Sequence, residues 1–466
     1  MSMQLIRTIS SYLPEVQQPT QKRLPFKEKL KWTLIILLVF FILGHIPLFG
    51  LGQNAMQQFE YLSILLGASF GSIISLGIGP LVTSSIVLQL LNGSGILKFD
   101  LTKPDGKKGF QSLQRILAIF FVIFESFIFV FMGGLAPAPE LAGTTLFTTL
   151  RMLLVFQLVL GGFMIILMDE VVSKWGFGSG IGLFIAAGVS QEIFLQALSP
   201  MPAITNPDIS AGRVFQVFQF LTQGAPDQAL LAFGAIVATL VVFFISVFGQ
   251  AMKVEIPLSF GRIRGQGVRW PLNFIYTSVI PVILIAALLA NIQLWAHLLQ
   301  NWGYPLLGTY SGNIPTSGFV MWIHPPDLLQ KAFTGGLSYI DFLQSLSYLT
   351  LMIGGAVMFS YFWMQTAGMD AKSQAKQISA YGLKIPGFRN DQRVLERLLD
   401  RYITPLTIMG AILVGFLAGT ADLLGALSHG TGILLAVMII YKMYEDVAKQ
   451  HMLDMNPMMR KFMGGK

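Results

Sequence analysis

Ten long apolar segments alternate with polar stretches along the chain, near residues 30–48, 74–93, 113–134, 146–168, 179–200, 228–249, 271–297, 341–366, 402–421 and 423–444. At about 1.5 Å of rise per residue, each is long enough to cross roughly 30 Å of hydrocarbon as a helix. Short glycine and proline breaks interrupt the pattern at matching places in the two halves. GIGPLVT (Gly77 to Thr83) and GSGIGLFI (Gly178 to Ile185) fall in the first half; IPVI (Ile280 to Ile283) and GTGILLA (Gly430 to Ala436) fall in the second. IGPLV and IPVI each sit in the second segment of their half, while GSGIG and GTGIL each open the fifth. Five segments per half is an odd number, so the halves run in opposite directions, as an inverted repeat about an axis in the membrane plane. Broken helices at equivalent points of such repeats point to a central pathway. Small residues that merely let helices pack closely would leave a similar trace, since Gly178 and Gly182 form a small-xxx-small pair.

Composition agrees with the segment pattern. The chain is 54% hydrophobic and only 12% charged, with a mean hydropathy of +0.66, too apolar for the surface of a soluble globule. The predicted fold class is therefore all-α and polytopic, with ten transmembrane helices. The predicted organisation is an N-terminal arm (1–29), a first half (30–200), an external loop (201–227), a second half (228–444) with basic loops at 250–270 and 370–401, and a C-terminal tail (445–466). When loops are counted alternately, 28 of the 31 lysines and arginines fall on one side, leaving Arg151, Arg213 and Lys331 opposite. Basic flanks stay in the cytoplasm, so both termini are expected there, in the cell membrane. The first segment follows a basic polar arm and is longer than a secretory h-region, so no cleaved leader is expected. The absence of cysteine excludes disulfides and thiolate metal sites, and the five histidines show no i, i+3 or i, i+4 pairing. No metal or cofactor is expected.

Residues 53–75 join the first segment to GIGPLVT and contain a helix-like run at 56–66 followed by GASFGS. Eleven residues of helix cannot cross a bilayer, so a re-entrant element folded into a cavity is predicted, with an ordered external loop as the alternative. Ile78 and Val82 are one helical turn apart, as are Ile181 and Ile185. With Ile283 and Leu435 they make six aliphatic side chains beside the glycine and proline breaks. If the four motifs converge, these six form a hydrophobic constriction that gates by dewetting. An isoleucine taken singly more often faces lipid or a neighbouring helix. Glu125, in FESF on the third segment, is the one ionisable residue well inside a segment, and such residues mostly face the bundle interior. Two cytoplasmic loops are strongly basic. One is GRIRGQGVRW, with Arg262, Arg264 and Arg269. In the other, Arg393, Arg397 and Arg401 recur every four residues beside an apolar stripe of Val394, Leu395, Leu398 and Leu399, the pattern of an amphipathic helix. Its arginines suit nucleic-acid phosphates or anionic lipid.

With GIGPLVTSS, DEVVSKWGFGSGIGLFIAAGVSQ, VEIPLSFGRIRG, IPVILIAALLANIQLW and the GFR of the last large loop, the chain resembles the SecY family over essentially its whole length. That family is the central subunit of the protein-conducting Sec channel, and the likeness is to its archaeal and eukaryotic branch. The resemblance implies two pseudo-symmetric halves closing as a clamshell around an hourglass pore. It places the pore ring on Ile78, Val82, Ile181, Ile185, Ile283 and Leu435. It places a plug on roughly 59–71, carried by Phe59, Leu62, Leu65, Leu66, Gly67 and Gly71. It places a lateral gate at Thr83 and Glu125 against Ser278 and Val279, where the family commonly has Asn and this chain has Val. Docking contacts fall on Arg262, Arg264, Phe388 and Arg389. The implied partners are ribosomes, nascent polypeptides with signal sequences, membrane lipids, and SecE-type (gamma) and beta-type small membrane subunits. No nucleophile elbow or dinucleotide loop is found, so no enzyme is expected. The competing reading is an inverted-repeat secondary transporter of a small solute, which would need a polar site at mid-membrane; an intramembrane protease lacks its nucleophile or carboxylate pair.

Overall fold

The computed structural model describes residues 13–21, 24–52, 71–93, 96–97, 99, 104–132, 134–202, 209–260, 267–277, 280–311, 314–380, 383–384, 392–427 and 430–455. Ten helices occupy the ten apolar segments: α1 (Phe26–Gly44), α2 (Gly79–Gly93), α3 (Pro104–Phe131), α4 (Thr145–Trp175), α5 (Gly180–Leu198), α6 (Pro226–Ala251), α7 (Ile280–Asn301), α8 (Tyr339–Thr366), α9 (Gln392–Leu423) and α10 (Gly430–Met455). Seven of them, α3 to α9, are long and apolar enough to cross a membrane by length and composition. The other three depart for visible reasons. The charged run FKEKLK opens α1, charges crowd the last turns of α10, and α2 has only 15 residues.

Packing partners repeat with a shift of five helices. Helix α1 packs on α4 as α6 packs on α9, α2 on α3 as α7 on α8, α3 on α4 as α8 on α9, and α4 on α5 as α9 on α10. That is the contact pattern of a duplicated five-helix unit, and it gives the inverted repeat a physical form. The halves meet where α5 lies along α10 and where α2 faces α7 and α8. Helix α7 is the most central, with 72% of its most apolar window buried against 28% for α3, α5 and α6. Those outer helices turn Phe120, Phe194, Phe244 and Phe248 outward, as a lipid-facing surface requires.

Glycine permits the tightest crossings. A Cβ on Gly161 of α4 would lie 1.8 Å from the carbonyl oxygen of Ile73, and one on Gly162 would lie 2.6 Å from Val122 of α3. The pair therefore lets α4 bed directly onto the entry to α2 and onto its neighbour.

Several segment boundaries move. The predicted span at 74–93 is helical only from Gly79; residues 71–78 are turns, and Gly77 has φ of +53°. Pro80 suits a helix start because its missing N–H is unpaired there in any case. The span predicted from 271 is helical only from Ile280, since residues up to Asn273 belong to a β-strand. The amphipathic run Arg393 to Arg401 is the opening of α9 itself, continuous with the span. Its arginines are exposed, while Leu395 and Leu399 are buried against Ile256, Leu272, Tyr276, Ala375 and Ile378.

The two basic loops are also not free loops. Strands β1 (Lys253–Phe260) and β2 (Gly267–Asn273) form an antiparallel pair, and the short strand β5 (Leu383–Lys384) adds to the far edge of β1, giving the order β2-β1-β5. A separate hairpin, β3 (Gly308–Ser311) with β4 (Ile314–Gly318), follows α7. At the other end of the chain the N-terminal arm is strapped to α3 and α4. Lys174 Nζ donates to Glu15 Oε1 at 2.8 Å and to the carbonyl of Val16 at 2.6 Å, the Val16 N–H donates to Glu170, and Arg115 pairs with both Glu170 and Glu15.

Candidate functional site

Three of the four broken motifs meet at one cavity, which Ile439, one turn after Leu435 of the fourth, also lines. All six predicted ring residues belong to one hydrophobic cluster: Ile78, Val82, Ile185 and Leu435 are buried members, and Ile181 and Ile283 pack against it. They divide into two layers. Val82, Ile181 and Ile283, from α2, α5 and α7, line one cavity of about 690 Å³. Ile78, Ile185 and Leu435 do not line it, and are 1%, 1% and 2% exposed. Ile78 precedes Val82 by one turn and Ile185 follows Ile181 by one turn, so α2 and α5 approach the waist from opposite directions, each with one side chain at the cavity and one beyond it.

Above this floor the cavity walls are mixed, with Gln89, Gln111, Gln114, Ser173 and Thr366 set among apolar side chains such as Phe110, Trp363 and Met443. The result is a wettable vestibule ending on a dry aliphatic seal. Water entering such a seal finds no hydrogen-bond partner, so the seal holds back hydrated ions without binding anything.

The GSGIG motif supplies its own local reason. Gly178 has φ of +73°, which lets the chain reverse out of α4, and a Cβ on Gly182 would meet Ile439 of α10 at 3.5 Å. Ile181 is thereby delivered to the cavity in the first turn of α5.

Beside the waist lies a polar seam. Thr83 donates to the carbonyl of Gly79 at 2.9 Å, its hydroxyl accepts from Asn291 Nδ2 of α7 at 3.3 Å, and it also meets Glu125 of α3. Thr277, at the approach to α7, shares a 3.0 Å hydrogen bond with Ser360 of α8. Thr83 and Glu125 are thus joined. Ser278 and Val279 lie outside the described residues. Asn291, from within α7, supplies the polar group that meets Thr83 across the helix boundary. Its signal was present, one of two amides (with Gln293) in the apolar run IPVILIAALLANIQLW, but only the packing of α2 on α7 says which residue it meets.

Of the predicted plug, Phe59, Leu62, Leu65, Leu66 and Gly67 lie outside the described residues. Gly71 is buried with φ of +84°, and its carbonyl accepts from the N–H of Leu48 at 2.7 Å, while the Ile73 N–H donates to Ile46. The chain that leaves α1 therefore returns to the same place before α2 begins. Arg262, Arg264, Phe388 and Arg389 also lie outside the described residues. The strands that precede them, β1 and β5, are paired through Ser259 with Lys384 and Phe260 with Leu383, so both stretches leave one sheet. Among the described residues no cluster of metal-binding side chains occurs.

Two inverted five-helix units, with broken helices meeting at an apolar waist beside a cavity that carries polar side chains, define a polytopic membrane protein of channel architecture. Comparison with known proteins makes this specific. The SecY family model matches residues 72–444, and the chain belongs to the SecY family. It is 44% identical over 459 residues to the protein translocase subunit SecY of Methanothermobacter thermautotrophicus, covering 97% of each chain. It is 40% identical over 475 residues to that of Pyrococcus furiosus, covering 99% of each. Among solved structures it superposes on one described as the structure of a protein conducting channel with a TM-score of 0.82, at 40% identity over 96% of this chain and 97% of the other. It superposes on Sec61 in the canine ribosome-channel complex from the endoplasmic reticulum with a TM-score of 0.79, at 40% identity over the same shares.

Proposed function

We propose that this chain is the pore-forming subunit of a protein-conducting channel, with Ile78, Val82, Ile181, Ile185, Ile283 and Leu435 as its constriction. The observation that carries the reading is the cavity of about 690 Å³, with glutamine, serine and threonine side chains among its walls, that is lined by three of these side chains while the other three are buried outside it. A polar chain crossing hydrocarbon would leave backbone groups unpaired at several kcal/mol each, and an aqueous vestibule on the path removes that cost. At the waist, aliphatic side chains form no hydrogen bonds that would favour one sequence, so they admit varied residues and close around them.

Sideways release needs a seam. The boundary of α2 and α3 with α7 and α8, bridged by Thr83, Glu125 and Asn291, opens toward lipid. A passing segment of about 20 apolar residues gains roughly 0.3–0.6 kcal/mol per residue in the bilayer, whereas one central charge opposes by about 3 kcal/mol. Hydrophobic segments leave through the seam and polar ones continue across. Residues 59–71 act as the plug that completes the resting seal. Arg262, Arg264, Phe388 and Arg389, in the stretches of sequence that follow strands β1 and β5, form the docking surface for the ribosome, in keeping with the ribosome complex known for the 40% identical Sec61. The protein resides in the cell membrane with both termini cytoplasmic, alongside SecE-type and beta-type subunits.

The test is reconstitution with the small subunits in vesicles and planar bilayers. Signal-bearing polypeptide is expected to pass, and Ile78→Gly with Ile185→Gly is expected to raise resting ion conductance at least several-fold. Unchanged conductance removes the six residues from the constriction. Saturable uptake of a small solute without polypeptide passage overturns the channel itself.

A further inference from the structure

Each half of the molecule pins the start of its last helix with a carboxylate borrowed from the helix before. Asp169, near the end of α4, accepts from the backbone N–H of Ile181 at 3.0 Å and from that of Gly180. Asp422, at the end of α9, accepts from the backbone N–H of Thr431 at 3.1 Å and from the Thr431 hydroxyl. The carboxylates stand at equivalent points, before GSGIG in one half and GTGIL in the other. In α5 the residue that would ordinarily cap, Ser179, makes no side-chain cap hydrogen bond, so Asp169 takes over. The approach is close enough that a Cβ on Gly180 would stand 2.5 Å from the Asp169 Cα.

A helix start presents unpaired N–H groups and the positive end of its dipole, and a carboxylate satisfies both with short, charge-assisted bonds. The turns held here carry half of the waist. Asp169 grips the N–H of Ile181 itself, Ile185 follows one turn later, and Leu435 lies one turn beyond Thr431.

We infer that Asp169 and Asp422 are paired positioning residues that hold the first turns of α5 and α10 in register and so set the bore of the constriction. This rests on the reading of the six aliphatic residues as that constriction. The two are not equivalent. Asp169 lines the vestibule, where water can replace a lost partner. Asp422 is 4% exposed and also accepts from the Tyr348 hydroxyl of α8 at 2.6 Å. Because α8 borders the seam, the Tyr348 bond couples the gate to the waist: α8 cannot move away without breaking that bond or pulling α10.

The experiment measures resting ion conductance and signal-dependent opening of the reconstituted complex, with Ile78→Gly and Ile185→Gly as the reference for a leaking waist. Asp422→Ala is expected to leak about tenfold above the unaltered channel, the population change given by about 1.4 kcal/mol. Asp169→Ala should leak less, and Asp422→Asn, which keeps one acceptor, should recover most of the seal. Tyr348→Phe should leave the resting seal near normal but lower the signal-peptide concentration needed to open the channel, a shift that mere loss of stability would not give. Where Asp422→Ala fails to assemble, Asp422→Asn and Tyr348→Phe decide instead, and normal conductance and normal opening in both overturn the inference. If the isoleucine variants leak while both aspartate variants assemble and stay tight, the positioning role falls and the constriction stands. If the isoleucine variants are tight as well, the constriction reading is what fails.

Discussion

The waist and the seam are built on the same two helices from opposite chemistry. On α2, Val82 faces the vestibule floor while the next residue, Thr83, reaches across to Asn291; on α7, Ile283 lines the cavity while Asn291 holds the seam. Neighbouring residues on a helix point about 100° apart, so one turn serves both purposes. On the function proposed above, the waist seals through dispersion contacts that any aliphatic group supplies and that re-form around whatever passes. The seam, as the proposed gate, is bridged by a few hydrogen bonds, one of them long at 3.3 Å, which would give a defined closed state yet exchange readily for a signal segment. Sealing tolerates loose chemistry, and gating requires specific chemistry.

Removing the support that waist and seam share should have the largest effect. Gly161→Val places side-chain atoms where the Ile73 carbonyl already sits and forces α4 away from the entry to α2. The expected result is loss of assembled protein by size-exclusion chromatography, since overpacking beyond what neighbours can absorb costs about 3 kcal/mol or more. Next in size is a reciprocal exchange at adjacent positions. Val82→Thr puts a hydroxyl at the waist and should raise resting conductance several-fold with little change in signal dependence. Thr83→Val, nearly isosteric, should do the reverse: resting conductance unchanged, with the channel opening at a signal-peptide concentration about fivefold lower, for roughly 1 kcal/mol of lost hydrogen bonding. Equal leakage from both variants would show that waist and seam are one structure. A smaller effect is expected from Asn291→Leu combined with Thr83→Val, which should add little to either change alone because they remove the same bond.

The smallest effect concerns the arm that braces α3 and α4 beside these elements. The hydrogen bond from Lys174, with the nearby charges of Lys174 and Arg115, holds the Glu15 carboxyl below its usual range despite a partial opposing effect of burial. A carboxylate whose pKa is lowered on folding stabilises the fold above its unfolded value, near 4.3, and that contribution is lost as pH falls through the lower folded value. Proteolysis of the arm should therefore quicken only below about pH 4, and Glu15→Gln should make it fast at neutral pH. Salt should mimic the change, because Glu15 is half exposed and its pairs are screened.

How far these features were legible in the chain follows their physics. The six aliphatic residues could be named from the chain because they sit beside glycine and proline breaks at repeat spacing; that Val82, Ile181 and Ile283 line one cavity could not. The seam was half legible. Thr83 and Glu125 could be named, but Asn291 lies 208 residues from the hydroxyl it bonds, and no local pattern announces that distance. Asp169 and Asp422, which precede GSGIG and GTGIL, carry no local signature, because a cap borrowed from another helix leaves no trace in the helix it caps. The basic loops read as loops, since strands β1 and β5 lie more than a hundred residues apart along the chain.

By itself the sequence determined that ten segments enter the membrane, that they form two opposed sets of five, and which aliphatic residues accompany the breaks. Each of these is a local matter: transfer of a side chain into hydrocarbon and the conformational freedom of glycine and proline depend on little beyond the residue and its neighbours. Tertiary structure alone decided where α2 begins, which amide locks Thr83, that two carboxylates pin α5 and α10, and that the basic loops share a sheet. Those are pairings between distant groups, and in a low-dielectric interior a polar group is held by whichever partner the packed helices bring within about 3 Å.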